Sequence, residues 1–185
     1  MRSRVLLVVA IGLLVALGAG VAVATNSPEL RADGPTTVDG TPATAVFDIG
    51  DRTIRQVRYV DHGTLVYSFV LANHGPLPVE VTGLAPLTQE PRLFHYRSLT
   101  GPSGAAAFTI GPGDETTVRL SMDMTGCERL SARAGSFATE VVLRTTTSQG
   151  LVHHDVTVPF PEEVRTGSPR EAACANATAT SRPPG

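Results

Sequence analysis

From residue 44 onward, apolar and polar residues alternate in short runs broken by turn residues. This is the period-two pattern of strands with one buried face. Leu65, Tyr67, Phe69 and Leu71 fall on one strand face. After the turn residues Asn73-His-Gly-Pro76, Leu77, Val79 and Val81 alternate with Pro78, Glu80 and Thr82. These two runs give the strongest hairpin signal in the chain. Beyond the Gly111-Pro-Gly-Asp114 turn, Val118, Leu120 and Met122 alternate with polar neighbours. Phe137, Thr139, Val141 and Leu143 then predict a common strand face, and Ser148-Gln-Gly150 turns the chain into Val152, His154, Val156 and Val158. Less regular strands are expected at Ala45–Asp48, Thr53–Val60, Arg92–Arg97 and Ala106–Ile110. About eight short strands with no convincing helix among them predict an all-β, antiparallel two-sheet sandwich over residues 45–162.

The first 24 residues follow another pattern. A basic start with Arg2 and Arg4 precedes an uncharged apolar run, Val5 to Ala24. This predicts one N-terminal apolar helix that engages the export machinery, with the Arg pair retained on the inner face. Twenty residues at ~1.5 Å each span the ~30 Å hydrocarbon core and exceed the usual apolar stretch of a signal peptide, which favours a retained anchor. The alternative is a signal peptide cut between Ala24 and Thr25, where Ala22 and Ala24 supply the small residues. The expected location is the cell membrane, single-pass with the C-terminal domain outside, or secretion if the leader is cleaved. Residues 25–44, rich in Pro, Gly, Thr and Asp, read as a flexible linker. Residues 163–185 lose periodicity and read as a mostly disordered tail.

Composition narrows the partners. Arg2 and Arg4 fall in the leader, so the exported part carries thirteen Arg against 17 acidic residues, a mild and well-mixed formal −4. No basic patch suited to nucleic acid is visible, so no nucleic-acid partner is expected. Two cysteines, Cys127 and Cys174, in an oxidising compartment predict one disulfide. By chain entropy it would contribute up to ~4 kcal/mol. The lack of a C-x-x-C pair argues against a redox role.

Candidate chemistry is sparse. His153, His154 and Asp155 are consecutive, but adjacent strand residues point to opposite faces. Only His153 and Asp155 can share one, which is most simply a solvated face. Met122 and Met124 put two thioethers on one strand face, and with His95 or another of the five His they could hold copper, whose reduced form takes soft ligands. The plainer reading continues the core stripe of Val118 and Leu120. G-x-S-x-G and H-E-x-x-H are absent, no catalytic signature surrounds either cysteine, and Gly101-Pro-Ser-Gly104 lacks the Lys and helix of a phosphate loop. No catalytic residue, metal or cofactor is therefore expected. The densest aromatic and basic cluster is Pro91-Arg-Leu-Phe-His-Tyr-Arg97. Arg and Tyr are favoured at protein interfaces, which nominates Arg92, Phe94, Tyr96 and Arg97 for protein contact, although the plainer reading is an ordinary amphipathic strand.

The stretch Tyr67-Ser-Phe-Val-Leu-Ala-Asn-His-Gly-Pro-Leu-Pro-Val-Glu-Val-Thr-Gly83 and the turn-strand Gly111-Pro-Gly-Asp-Glu-Thr-Thr-Val118 carry a resemblance. They resemble phrases in uncharacterised actinobacterial exported or membrane-anchored proteins with an immunoglobulin-like or fibronectin-type-III-like β-sandwich. The likeness covers Ala45 to Phe160 and consists of turns and strands. Arg without any Lys is similarly typical of GC-rich genomes. The Trp and inter-sheet cysteine pair of antibody domains are missing. The resemblance implies a fold and no activity. The expected function is a non-enzymatic extracytoplasmic β-sandwich that meets an envelope protein partner and is held at the membrane through its N-terminal helix. An envelope copper-binding protein is the alternative.

Overall fold

The computed structural model describes residues 27–127, 135–147 and 152–167. They form an all-β sandwich of two sheets. The strands are β1 (Leu30–Asp39), β2 (Thr44–Ile49), β3 (Arg52–Val57), β4 (Gly63–Asn73), β5 (Val79–Leu84), β6 (Phe94–Thr100), β7 (Phe108–Ile110), β8 (Glu115–Met124), β9 (Ser136–Thr147) and β10 (Val152–Thr166). One sheet has the order β1-β4-β8-β6 and the other β2-β3-β10-β9-β5-β7. The first, second, fifth and fourth strands of a seven-strand plan on one side, facing its third, sixth and seventh on the other, is an arrangement compatible with an immunoglobulin-like fold.

Alternation built the core as the sequence predicts. Leu65, Tyr67, Phe69 and Leu71 of β4 and Val118, Leu120 and Met122 of β8 are fully buried. They meet Val141, Leu143 and Val158 from the opposite sheet within one apolar cluster. The rings of Tyr67, Phe69 and Phe160 lie mutually tilted with centroids 5.1 to 5.6 Å apart, within the range of favourable aromatic pairs.

Several expectations are corrected. Residues 30–39 are a strand, not part of a flexible linker. Leu30 is buried, and Ala32, Thr36 and Val38 are half-buried on the same inward face. β1 pairs with β4 from Leu30↔Asn73 to Asp39↔Val66, interrupted by a bulge between Asp33 and Thr37. A sheet edge tolerates Pro35 there, because its missing N–H can face outward. Gly40, at φ 81°, ends the strand; a Cβ there would meet the Thr64 carbonyl oxygen at 2.0 Å. At the other boundary, β10 continues to Thr166, four residues into the predicted tail.

The predicted hairpin of residues 65–81 does not form. β4 pairs with β1 and β8, whereas β5 pairs with β7 and β9, so the connection crosses from one sheet to the other. Asn73 explains the crossing. Its Nδ2 donates to the carbonyls of Leu77 (2.8 Å) and, from the β7–β8 turn, Ile110 and Gly111 (both 3.2 Å), while its Oδ1 accepts from the Gly75 N–H at 3.0 Å. The amide ties the corner to a second turn, and Pro76 and Pro78 remove donors a ladder would need. The sheets are also not purely antiparallel, since β3 runs parallel to β10.

β9 departs from its predicted single face. Ala138, Val141 and Leu143 are buried, but Phe137 and Thr139 point out, so the inward phase slips between Ala138 and Val141. β10 bulges opposite this point, between Pro159 and Val164.

Candidate functional site

The phase slip in β9 lies beside a groove of about 390 Å³. β5 pairs with β9 only from Leu84↔Leu143 to Glu80↔Thr146, and the Ala85 N–H adds a last bond to the Val142 carbonyl. Below that level β9 keeps β10 on one side and has no strand on the other among the described residues. The vacated edge is faced by the segment 87–92 and by Tyr96 on β6, with Gly135 to Phe137, Thr139 and Glu140 opposite.

Tyr96 closes the floor. Its ring packs on Phe160, and its hydroxyl donates to the Glu140 carbonyl at 2.8 Å, occupying one acceptor on the exposed edge of β9. Burial, and then the negative charges of Glu140 and Glu90, push its pKa well above the ordinary tyrosine value. Glu90 also lies 3.3 Å from His95 Nδ1. At the groove's end Phe137 is 40% exposed, and the Arg165 guanidinium sits 5.2 Å from its ring centroid in cation–π range.

The four residues nominated for protein contact do not share one surface. Arg92 lines the groove and Tyr96 floors it. Phe94 is fully buried opposite Met124, so it belongs to the core and is unavailable for contact. Arg97 is exposed on the outer face of the first sheet, where it ion-pairs with Asp123. The Thr64 hydroxyl donates to the same carboxylate at 3.1 Å. These bonds, the Arg97 bond foremost, hold the Asp123 pKa below the usual carboxylate range. Alternation separates Arg97 from Tyr96 as it separates Phe94 from His95. Phe137, Glu140 and Glu90 were not anticipated at the site. Only the apolar Phe137 at a strand start gave any signal in the sequence, and alternation assigned it to the core.

The copper ligands do not converge. Met122 and Met124 are fully buried in the core cluster, while His95 pairs across the ladder with Asp123 on the opposite, exposed face. His153 and Asp155 are exposed on one face, and His154 turns inward. Among the described residues no group of three or more His, Cys, Asp or Glu side chains is arranged to hold a metal ion. Cys127 is not a free thiol and is 6% exposed. Its sulfur lies 3.3 Å from Asp61 Oδ1, which also accepts from the Tyr59 hydroxyl at 2.9 Å. Its expected partner Cys174 and the apolar run 5–24 lie outside the described residues. Among the described residues no helix is long and apolar enough to cross a membrane.

Comparison with known proteins finds no matching family model and no matching curated protein.

Proposed function

We propose that the chain is a non-enzymatic, extracytoplasmic β-sandwich of immunoglobulin-like type that acts by protein contact at the cell envelope. The groove beside β9 receives an extended segment of the partner. The observation that carries this reading is the half-paired β9, whose lower edge opens into a groove with an aromatic floor. An added strand gains main-chain hydrogen bonds from such an edge and specificity from the side chains around it. Tyr96, Arg92 and Phe137 are of the types that dominate protein interfaces.

The sandwich also suits a tether. Ser27 lies beside Gly75 and Thr147, at the end where β9 finishes, whereas the groove borders its start. The ten residue steps from Phe137 to Thr147 separate these ends by about 33 Å. A retained helix at residues 5–24 would thus present the groove away from the membrane. We further assign Cys174 as the disulfide partner of Cys127. The copper alternative is not carried forward, because Met122 and Met124 are fully buried in the apolar core cluster and His95 lies on the opposite face.

The test is crosslinking in intact cells with the full-length chain, bearing a photoreactive residue at Gln89 or Thr139 and, as a control, at Glu115 on the far side. One dominant envelope protein captured from the two groove positions and not from Glu115 is expected. Equal capture from all three positions, or none, overturns the groove as the contact site.

A further inference from the structure

The two sheets end in four edge strands, and three of them are guarded. β1 is broken by a bulge at Pro35 and carries Arg31, Asp33 and Asp39. β6 has a bulge between Tyr96 and Ser98 and carries His95 and Arg97. β7 is only three residues long. Bulges, charges, proline and shortness are the devices that keep sheet edges from pairing with other chains. β2 has no bulge and no proline, is twice as long as β7, and has a single charge, Asp48. It pairs with β3 without a break from Thr44↔Val57 to Ile49↔Arg52. Every residue of β2 is exposed, including Val46 (50%), Phe47 (37%) and Ile49 (54%).

The cause is an overhang. The second sheet has six strands and the first has four. β1 packs over β10, so β2 projects past the sandwich and both of its faces lie open. Val46, in line with Arg55 and Val164, is on the inward side; Phe47 and Ile49 are on the outer side.

We propose that β2 pairs antiparallel with β2 of a second copy about a two-fold axis through Phe47, joining the two six-stranded sheets edge to edge. A two-fold normal to the sheet keeps each face continuous, so opposed residues must have the same parity. Centred on Phe47, the register sets Phe47 against its mate and Ala45 against Ile49, small against large, on an all-apolar outer face. On the other face Val46 meets Asp48, so neither aspartate opposes its like. Thr53 Oγ1 donates to Asp48 Oδ1 at 2.8 Å and holds that carboxylate toward its own sheet. An isologous contact of this kind closes at two copies. A six-residue strand is ~20 Å long, and pairing it covers on the order of 400 Å² per copy, about half the ~800 Å² per partner of a standard interface. The dimer is therefore weak in dilute solution and strengthened by crowding on a surface.

Sedimentation of the full-length chain in detergent, from about 1 to 500 µM, measures the association. The weight-average mass is expected to rise toward that of a dimer, and Ile49→Lys, which places a charge on an exposed edge, is expected to weaken the association at least tenfold. Register is read by oxidation. Phe47→Cys alone should crosslink, whereas Ala45→Cys should crosslink only when mixed with Ile49→Cys, and Glu115→Cys should not crosslink. Circular dichroism verifies that each variant keeps its sheet content. A monomer throughout the range together with no Phe47→Cys crosslink overturns the proposal, as does crosslinking at Glu115→Cys equal to that at Phe47→Cys.

Discussion

The two long flanks of the sandwich are closed by opposite means. On the β1/β3/β10 flank, Arg55 and Glu162 form an ion pair whose side chains are 12% and 5% exposed, with Arg55 Nε donating to Glu162 Oε1 at 2.5 Å. Arg55 Nη2 also donates to the hydroxyl of Thr36 at 2.9 Å. Glu162 sits in the bulge of β10 and Thr36 in the bulge of β1, so one guanidinium joins the two irregular points of the two sheets. On the β6/β9 flank a single neutral phenol, Tyr96, reaches across to a backbone carbonyl, and the space beside it is the groove. A buried charge network has high stakes, because desolvation is severe unless every partner is present. A lone hydrogen bond at a half-open cleft has low stakes. The first flank is built to stay shut, and the second leaves backbone to be met by something else.

Breaking the shut flank gives the largest expected effect. Arg55→Ala or Glu162→Ala leaves one buried charge without its counterpart and should cost about 3–5 kcal/mol in denaturant unfolding. Replacing both partners, Arg55→Met with Glu162→Leu, should cost far less and can stabilise, because the desolvation penalty of both ions disappears with their attraction. A double variant as weak as the single ones would mean that the two bulges need the polar links themselves.

On the open flank Tyr96→Phe removes one hydrogen bond and keeps the ring on Phe160. It should cost about 0.5–1.5 kcal/mol. It also frees the Glu140 carbonyl on the β9 edge, so capture of a partner from the groove positions should persist. Alkaline titration compares the flanks directly. Tyr67, inside the shut flank, is pushed above the ordinary tyrosine value by burial and then by the charge of Glu162. Tyr96 is pushed up by burial and then by Glu140. A phenol whose folded pKa exceeds its unfolded value near 10 favours the fold below about pH 10, and that contribution is lost as pH rises beyond it. Tyrosinate absorbance of these two residues should therefore appear together with unfolding, and Tyr96→Phe should remove one residue's share of that coupled rise. Ionisation of both while circular dichroism is unchanged would contradict their enclosure.

What the sequence disclosed, and what it hid, follows the same physical division. β4 and β8 are central in their sheet and bury one full face, so period two is unbroken and legible. β1 is an edge strand with only Leu30, Ala32, Thr36 and Val38 turned inward and a bulge at Pro35, so its weak alternation is masked by the Pro, Gly and Thr that edges tolerate. The corner after Asn73 looked like a hairpin because alternation flanks it on both sides. What sends the chain to the other sheet is the Asn73 amide bonding to Ile110 and Gly111, a contact 37 and 38 residues away that local pattern does not contain. The groove was half visible. Arg92 and Tyr96 stand out as an aromatic and basic pair, but an amphipathic strand alternates, and the alternation puts Phe94 in the core and Arg97 on the far face. Glu140 and Phe137 entered through a phase slip opposite a bulge, where period two fails.

The smallest expected effect comes from the outer face of the first sheet, away from both flanks. Arg97 and Asp123 form an exposed pair there, with Arg97 more than half exposed. The Arg97 bond lowers the Asp123 pKa, with Thr64 and the charge of His95 adding to it. A carboxylate whose folded pKa lies below its unfolded value near 3.9 adds stability above that value, and the addition is lost as pH falls through the lower folded value. Exposed pairs contribute little and are screened by salt. Asp123→Asn should leave the melting temperature at pH 7 nearly unchanged and make its decline below about pH 4 slightly shallower, with the difference shrinking in 1 M salt. A large loss at pH 7 would mean that Arg97, which the sequence grouped with the contact residues, holds β6 in register against β8, and that the open flank depends on this outer pair as much as on Tyr96.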